Sequence, residues 1–151
     1  MTPDRSSGTN ESGDDASAGP VARVLIADDD LVVRTRLKLL LTSDPAFEVV
    51  AAAADTDEAI TMATAHQPDA ALVDVNMPGG GGIRAVREIG LCSPNTAVVV
   101  LSALDEHGLV VDLLQAGAMT YIVKGASAEE ISDALTRSIA ARTPPPDAPA
   151  G

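Results

Sequence analysis

The sequence predicts an α/β domain of five β-α units, and three observations carry that reading. Short β-branched apolar runs alternate with segments of helical period, the pattern of strands and crossover helices around a parallel sheet. Right-handed crossovers through five such units permit a doubly wound sheet with helices on both faces. Four of the runs, VLIA, ALV, VVVL and YIV, end in polar residues: Asp28, Asp29 and Asp30, then Asp74, Ser102 and Lys124. Ligand sites in open α/β sheets form outside the carboxyl ends of the strands, so these side chains are expected to converge at one edge.

Taken in order, the first strand is expected at Arg23 to Ala27 and the first helix at Leu31 to Leu41, with Asp30 placed to cap it. Glu48 to Ala52 and Asp57 to Ala65 form the second unit, and Ala70 to Val73 is the third strand. Met77 and Pro78 then break the chain direction, and Gly79 to Gly82 let the backbone turn at no steric cost before a helix at Ile83 to Leu91. The fourth unit joins Ala97 to Leu101 with Glu106 to Ala116, and the fifth joins Tyr121 to Val123 with Ala128 to Ala141. Ser127 followed three residues later by Glu130 reads as a capping box at the start of that last helix.

A chain of 151 residues is long enough for one domain of ordinary size. Residues 1–20 are rich in Ser, Gly, Asp and Thr and are expected to be a disordered tail. Residues 21–141 form the globular domain, and residues 142–151 read as a proline-rich tail or truncated linker. With one Phe and one Tyr, the core must be built from Ala, Val, Leu and Ile, and Tyr121 stands out. A formal charge of −12 disfavours nonspecific binding to nucleic acid or to an anionic membrane, and no apolar run is long enough to span a bilayer. The chain is read as a cytoplasmic protein that binds no DNA directly. Cys92 is the sole cysteine and is read as filler at a helix end.

The strand-end residues have a common chemistry. Asp28, Asp29 and Asp74 brought together would repel one another, which either raises a carboxyl pKa or calls for a cation. Their hard oxygen ligands suit Mg2+, which takes one or two carboxylates and leaves positions for phosphate oxygens. Asp74 ends a buried run as a lone acid, and a carboxylate can serve as a nucleophile that forms an aspartyl phosphate. Ser102 can donate to a phosphoryl oxygen, and Lys124 can neutralise charge on the carboxylate and then on the phosphoryl group. No Gly-Lys-Ser or Gly-Lys-Thr follows the four glycines, which excludes a P-loop.

VLIADDD, QPDAALVD with MPGGGGI close behind, VVVLSA and AGAMTYIVKGAS resemble, in order and spacing, the receiver domain of two-component response regulators. The similarity runs from Val21 to about Ala141 and is greatest to receivers of the NarL/FixJ type, because Lys124 precedes Gly-Ala-Ser in place of the proline common elsewhere in the family. The resemblance implies a flavodoxin-like, CheY-like sheet of strand order 2-1-3-4-5. It makes Asp74 the phosphoacceptor, with Asp28, Asp29, Asp74 and the backbone carbonyl of Asn76 binding Mg2+. It gives Lys124 and Ser102 contacts to the phosphoryl group and makes Ser102 and Tyr121 the switch pair. The partners it implies are a sensor histidine kinase or phosphotransfer protein, an unidentified downstream effector and a phosphorylation-dependent homodimer. His66 and His107 lie in no recognisable donor context, so the kinase is a separate protein. The family is not enzymatic beyond its own phosphorylation and dephosphorylation.

Two departures stand against the family pattern. Gly80 and Gly81 replace the larger or acidic residues usual after MPG, which implies a mobile loop, and Asn76 and Leu104 occupy positions that tune phosphate lifetime in the family. Three alternatives compete with the switch. One is a docking or dimerisation module indifferent to phosphorylation, and another is the receiver half of a longer LuxR-type DNA-binding regulator. The third is a haloacid-dehalogenase-type phosphatase, which wants Asp-x-Asp where this chain has Asp74-Val75-Asn76. A flavin site of the flavodoxin kind is disfavoured, because the loop after the first strand is acidic and would repel the flavin phosphate.

Overall fold

The computed structural model describes residues 21–103 and 107–142, so the two terminal segments, Leu104 and the predicted start of the fourth helix at Glu106 lie outside the described residues. Five units follow one another: β1 (Ala22–Ala27), α1 (Leu31–Thr42), β2 (Phe47–Ala53), α2 (Thr56–His66), β3 (Ala70–Asp74), α3 (Gly81–Cys92), β4 (Ala97–Ser102), α4 (His107–Ala116), β5 (Thr120–Val123) and α5 (Ala128–Arg142). The strands are all parallel, in the order β2-β1-β3-β4-β5. The strand order reverses between β1 and β3, and in sheets of this kind that switch point opens the ligand crevice.

Side-chain alternation divides the interior into two cores. On one face Val24, Ile26, Leu72, Val99, Leu101 and Ile122 pack against Leu37 and Leu41 of α1 and Ile131 and Leu135 of α5. On the other, Leu25, Ala71, Val73, Val98 and Val100 pack against Ala59 and Ala63 of α2, Val86 and Ile89 of α3 and Leu113 of α4. Strands buried on both faces read as continuous apolar runs, which is why β1, β3 and β4 were visible as such. Phe47 is the buried aromatic residue, and, as composition requires, the buried hydrophobic residues around it are otherwise Ala, Val, Leu and Ile, with Met77 added among those described.

β2 breaks the alternation. Its register to β1 slips between Val24 and Leu25, which pair with Val49 and Ala51, so Val50 is an extra residue. A bulge of one residue reverses which face the following side chains meet. Phe47 and Val49 therefore join the α1/α5 core, while Ala51 and Ala53 join the opposite one.

The helix ends follow local chemistry. Asp30 caps α1, its Oδ1 accepting from the amides of Val32 at 2.9 Å and Val33 at 3.3 Å. The Ser127–Glu130 capping box forms in both directions, at 3.1 and 2.9 Å. α3 begins at Gly81, two residues earlier than predicted, with no side-chain cap. Its entry is anchored by the Gly82 amide, which donates to the Val75 carbonyl at 2.9 Å. β3 and β4 each run one residue beyond their predicted ends, because Asp74 and Ser102 still find ladder partners in Leu101 and Val123.

Two glycines of α3 separate steric need from chance. A Cβ on Gly82 would sit 2.8 Å from Val75 Cα, against backbone that cannot yield, whereas one on Gly90 would meet nothing within 4 Å. Gly82→Ala is expected to destabilise the fold by about 1–3 kcal/mol, the usual cost of overpacking. Gly90→Ala is expected to stabilise it by up to about 1 kcal/mol through helix propensity. Urea unfolding of the two variants beside the parent checks both signs.

Candidate functional site

The crevice at the switch point is flanked by the ends of β1 and β3, which carry Asp28 and Asp74. Both are inaccessible to solvent, at 0% and 1% relative exposure, while the neighbouring Asp29 is exposed. Carboxylate oxygens of Asp28, Asp29 and Asp74 all lie within 4.8 Å of one another. Lys124, just beyond the end of β5, reaches across β4 to place its Nζ 2.9 Å from Asp74 Oδ1. The same Oδ1 accepts the Asn76 amide at 3.2 Å, which folds the β3–α3 loop back over the carboxylate. Asp28 Oδ1 accepts the Asp30 amide at 2.9 Å.

Each buried carboxylate is thus held by one oxygen. Among the described residues, Asp28 Oδ2 and Asp74 Oδ2 are buried side-chain oxygens with no hydrogen-bond partner in the protein. Leaving an ionised carboxylate in this state costs several kcal/mol. Burial pushes the Asp74 carboxyl above its ordinary range, against the opposing pull of the Lys124 hydrogen bond and the Asn76 amide. Asp28 is raised as well, by burial first and then by the charge of Asp74, despite its bond from Asp30. Burial pulls Lys124 down, but its hydrogen bond to Asp74 and the surrounding acids outweigh this and hold it above its usual value. Three acids with two unpartnered buried oxygens, all hard donors, fit a small divalent cation such as Mg2+.

Ser102 is buried at the end of β4, and its carbonyl accepts the Lys124 amide at 2.9 Å, tying the last two strand ends together. Tyr121 lies on the edge strand β5, 40% exposed. The residue after Lys124, Gly125, has φ of +92°, a conformation closed to proline, whose ring holds φ near −65°. Leu104 falls outside the described residues. Sequence spacing gave no sign of Arg34, whose Nη1 donates to the Asp28 carbonyl at 2.7 Å. Nor did it mark Arg84, which donates to the Gly79 carbonyl at 2.7 Å and to Asp57 at 2.8 Å. Such contacts depend on how helices pack against loops, which no local pattern records.

The family model of the response regulator receiver domain matches residues 24–136. The chain belongs to that family. This receiver is 36% identical over 118 residues to the response regulator GacA of Pseudomonas aeruginosa, an overlap covering 78% of this chain and 55% of GacA. It is 33% identical over 117 residues to the chemotaxis protein CheY of Bacillus subtilis, covering 78% of this chain and 97% of CheY. Among solved structures, the signal receiver domain of NarL from Mycobacterium tuberculosis superposes with a TM-score of 0.77 at 30% identity, covering 81% of this chain and 98% of that one. The receiver spans about half the length of GacA. The flavodoxin-like, CheY-like architecture and the likeness to NarL-type receivers agree with the reading of the sequence motifs. No helix among the described residues is long and apolar enough to cross a membrane.

The raised Asp28 carboxyl has a consequence for the metal-free receiver. A carboxyl whose folded-state pKa lies above its unfolded value contributes stability at low pH and loses it as pH rises through the folded value. Asp28→Asn removes the charge, so in EDTA the variant is expected to exceed the parent in thermal stability at neutral pH. The gap should close as pH falls toward the ordinary aspartate value of about 3.9. Thermal melts from pH 4 to 8 read the difference, and a pH-independent gap would contradict the electrostatic origin.

Proposed function

We propose that this receiver is a phosphorylation-controlled switch in which Asp74 accepts a phosphoryl group from the phosphohistidine of a separate histidine kinase or phosphotransfer protein. The observation that carries the reading is the asymmetry of Asp74. Its Oδ1 is fixed by Lys124 and the Asn76 amide, while its buried Oδ2 has no protein partner.

Asp28, Asp29, Asp74 and the Asn76 carbonyl would hold Mg2+. When bound, the ion supplies positive charge that offsets repulsion between the acceptor carboxylate and the phosphoryl oxygens. In the transfer, a carboxylate oxygen of Asp74 bonds to phosphorus as the P–N bond of the donor breaks. The imidazole departs with the bonding electron pair and takes up a proton from solvent. Lys124 orients the carboxylate before transfer and neutralises the phosphoryl oxygens during and after it. Ser102 donates its hydroxyl to a phosphoryl oxygen, and hydrolysis of the acyl phosphate by water resets the switch.

The new group adds a charge of about −1.5 to −2 near neutral pH. Drawing Ser102 toward it couples the β4 end to Tyr121, and so biases an existing equilibrium of the face formed by α4, β5 and α5. That face would engage the downstream effector or a second copy of the receiver.

Incubation with acetyl phosphate and Mg2+, followed by intact-protein mass spectrometry, is expected to show one added phosphoryl group. None should appear on Asp74→Ala or without the metal. Lys124→Ala is expected to slow the initial rate by about 10²-fold, the scale of losing one preorganised charge-stabilising donor. A folded parent that gains no phosphoryl group under these conditions would favour a docking module indifferent to phosphorylation.

A further inference from the structure

The β3–α3 loop carries Asn76, and it pays an unusual entropic cost for its sequence. Gly79, Gly80 and Gly81 all have positive φ, at +92°, +106° and +73°. Three such residues in a row supply no side chain to pack and more backbone freedom to lose than any others. Backbone hydrogen bonds hold the loop at two points. The Thr56 amide at the start of α2 donates to the Pro78 carbonyl at 3.1 Å, and the Gly82 amide donates to Val75.

A third contact to the loop comes from Arg84. From the first turn of α3 its guanidinium reaches back over the glycines, donating to the Gly79 carbonyl at 2.7 Å and to Asp57 Oδ1 on α2 at 2.8 Å. Its stem lies so close to the loop that a Cβ on Gly80 would meet Arg84 Cδ at 2.7 Å and Cβ at 3.1 Å. The glycine and the arginine are therefore complementary: the missing side chain of Gly80 is the space the Arg84 stem crosses. The ion pair to Asp57 is largely exposed, 41% and 74% for the two side chains, and by itself adds little to stability. Its effect is geometric, because one planar guanidinium bonds the loop and a neighbouring helix at once.

We infer that Arg84 is a positioning residue for the metal site: it clamps the glycine loop to α2 and so fixes the backbone from which the Asn76 carbonyl is presented. This rests on the Mg2+ reading above. It adds a specific claim, that affinity for the ion depends on a side chain that does not touch it. Groups that orient metal ligands from outside typically contribute 10–100-fold in affinity, and a clamp acting three residues down the loop belongs at the low end, about tenfold.

The test titrates MgCl2 into the unphosphorylated protein and follows backbone amide NMR shifts, so no phosphoryl transfer is needed. The parent is expected to show saturable shifts at Asn76 that vanish in Asp28→Asn. Arg84→Ala is expected to weaken the apparent Kd about tenfold. Its thermal midpoint in EDTA should stay close to that of the parent, since an ion pair this accessible adds little to stability. Arg84→Lys, which keeps a charged donor of similar reach, should recover part of the affinity, and Asp57→Ala should weaken it less than Arg84→Ala. An Arg84→Ala affinity within twofold of the parent would overturn the clamp and leave the metal site standing. Absence of saturable binding in the parent would remove the metal site and the clamp together.

Discussion

Two carboxyl groups buried side by side, Asp28 and Asp74, set the terms for the rest of this molecule. Nothing in an aliphatic interior favours two acids at adjacent strand ends. Their placement is tolerable because each accepts one backbone amide, because Lys124 faces Asp74, and because a cation can take up the remaining oxygens. The strand order supplies the location, since β1 and β3 are neighbours at the point where that order reverses. The long reach of Lys124 from beyond β5 across β4 then draws the far edge of the sheet into the same site.

Stability and function pull against each other here. Burial raises both aspartates, so the isolated fold is less comfortable with the charged acids than water would be. An added positive charge would relieve that cost, since Asp28 and Asp74 each keep one buried oxygen with no hydrogen-bond partner in the protein.

What could be read from the chain divides along physical lines. Asp28, Asp74, Ser102 and Lys124 were legible because each ends an apolar run, and a polar residue there has few structural reasons to exist. The Asp30 cap and the Ser127–Glu130 box were legible because capping is a contact across two or three residues. The extra residue at Val50 was not, since FEVVAAA carries no mark of where its pairing slips. Tyr121 was conspicuous by its rarity, but its half-exposed place on an edge strand depends on which strands end up outermost. Arg84 and Asp57, 27 residues apart on different helices, meet only because α2 and α3 pack together.

The division of the interior into two cores has a consequence for how this protein can change. The sheet is a wall: β1, β3 and β4 show alternate residues to each side, with α2, α3 and α4 packed on one face and α1 and α5 on the other. Effects of substitutions far apart and sharing no partners add nearly independently. Helices α2, α3 and α4 can therefore drift in sequence as one group, and α1 and α5 as another, each repacking against its own side of the wall. The strand ends are where the two histories must stay compatible, because Asp28, Asp74 and Lys124 follow the alternation of one face and Ser102 that of the other.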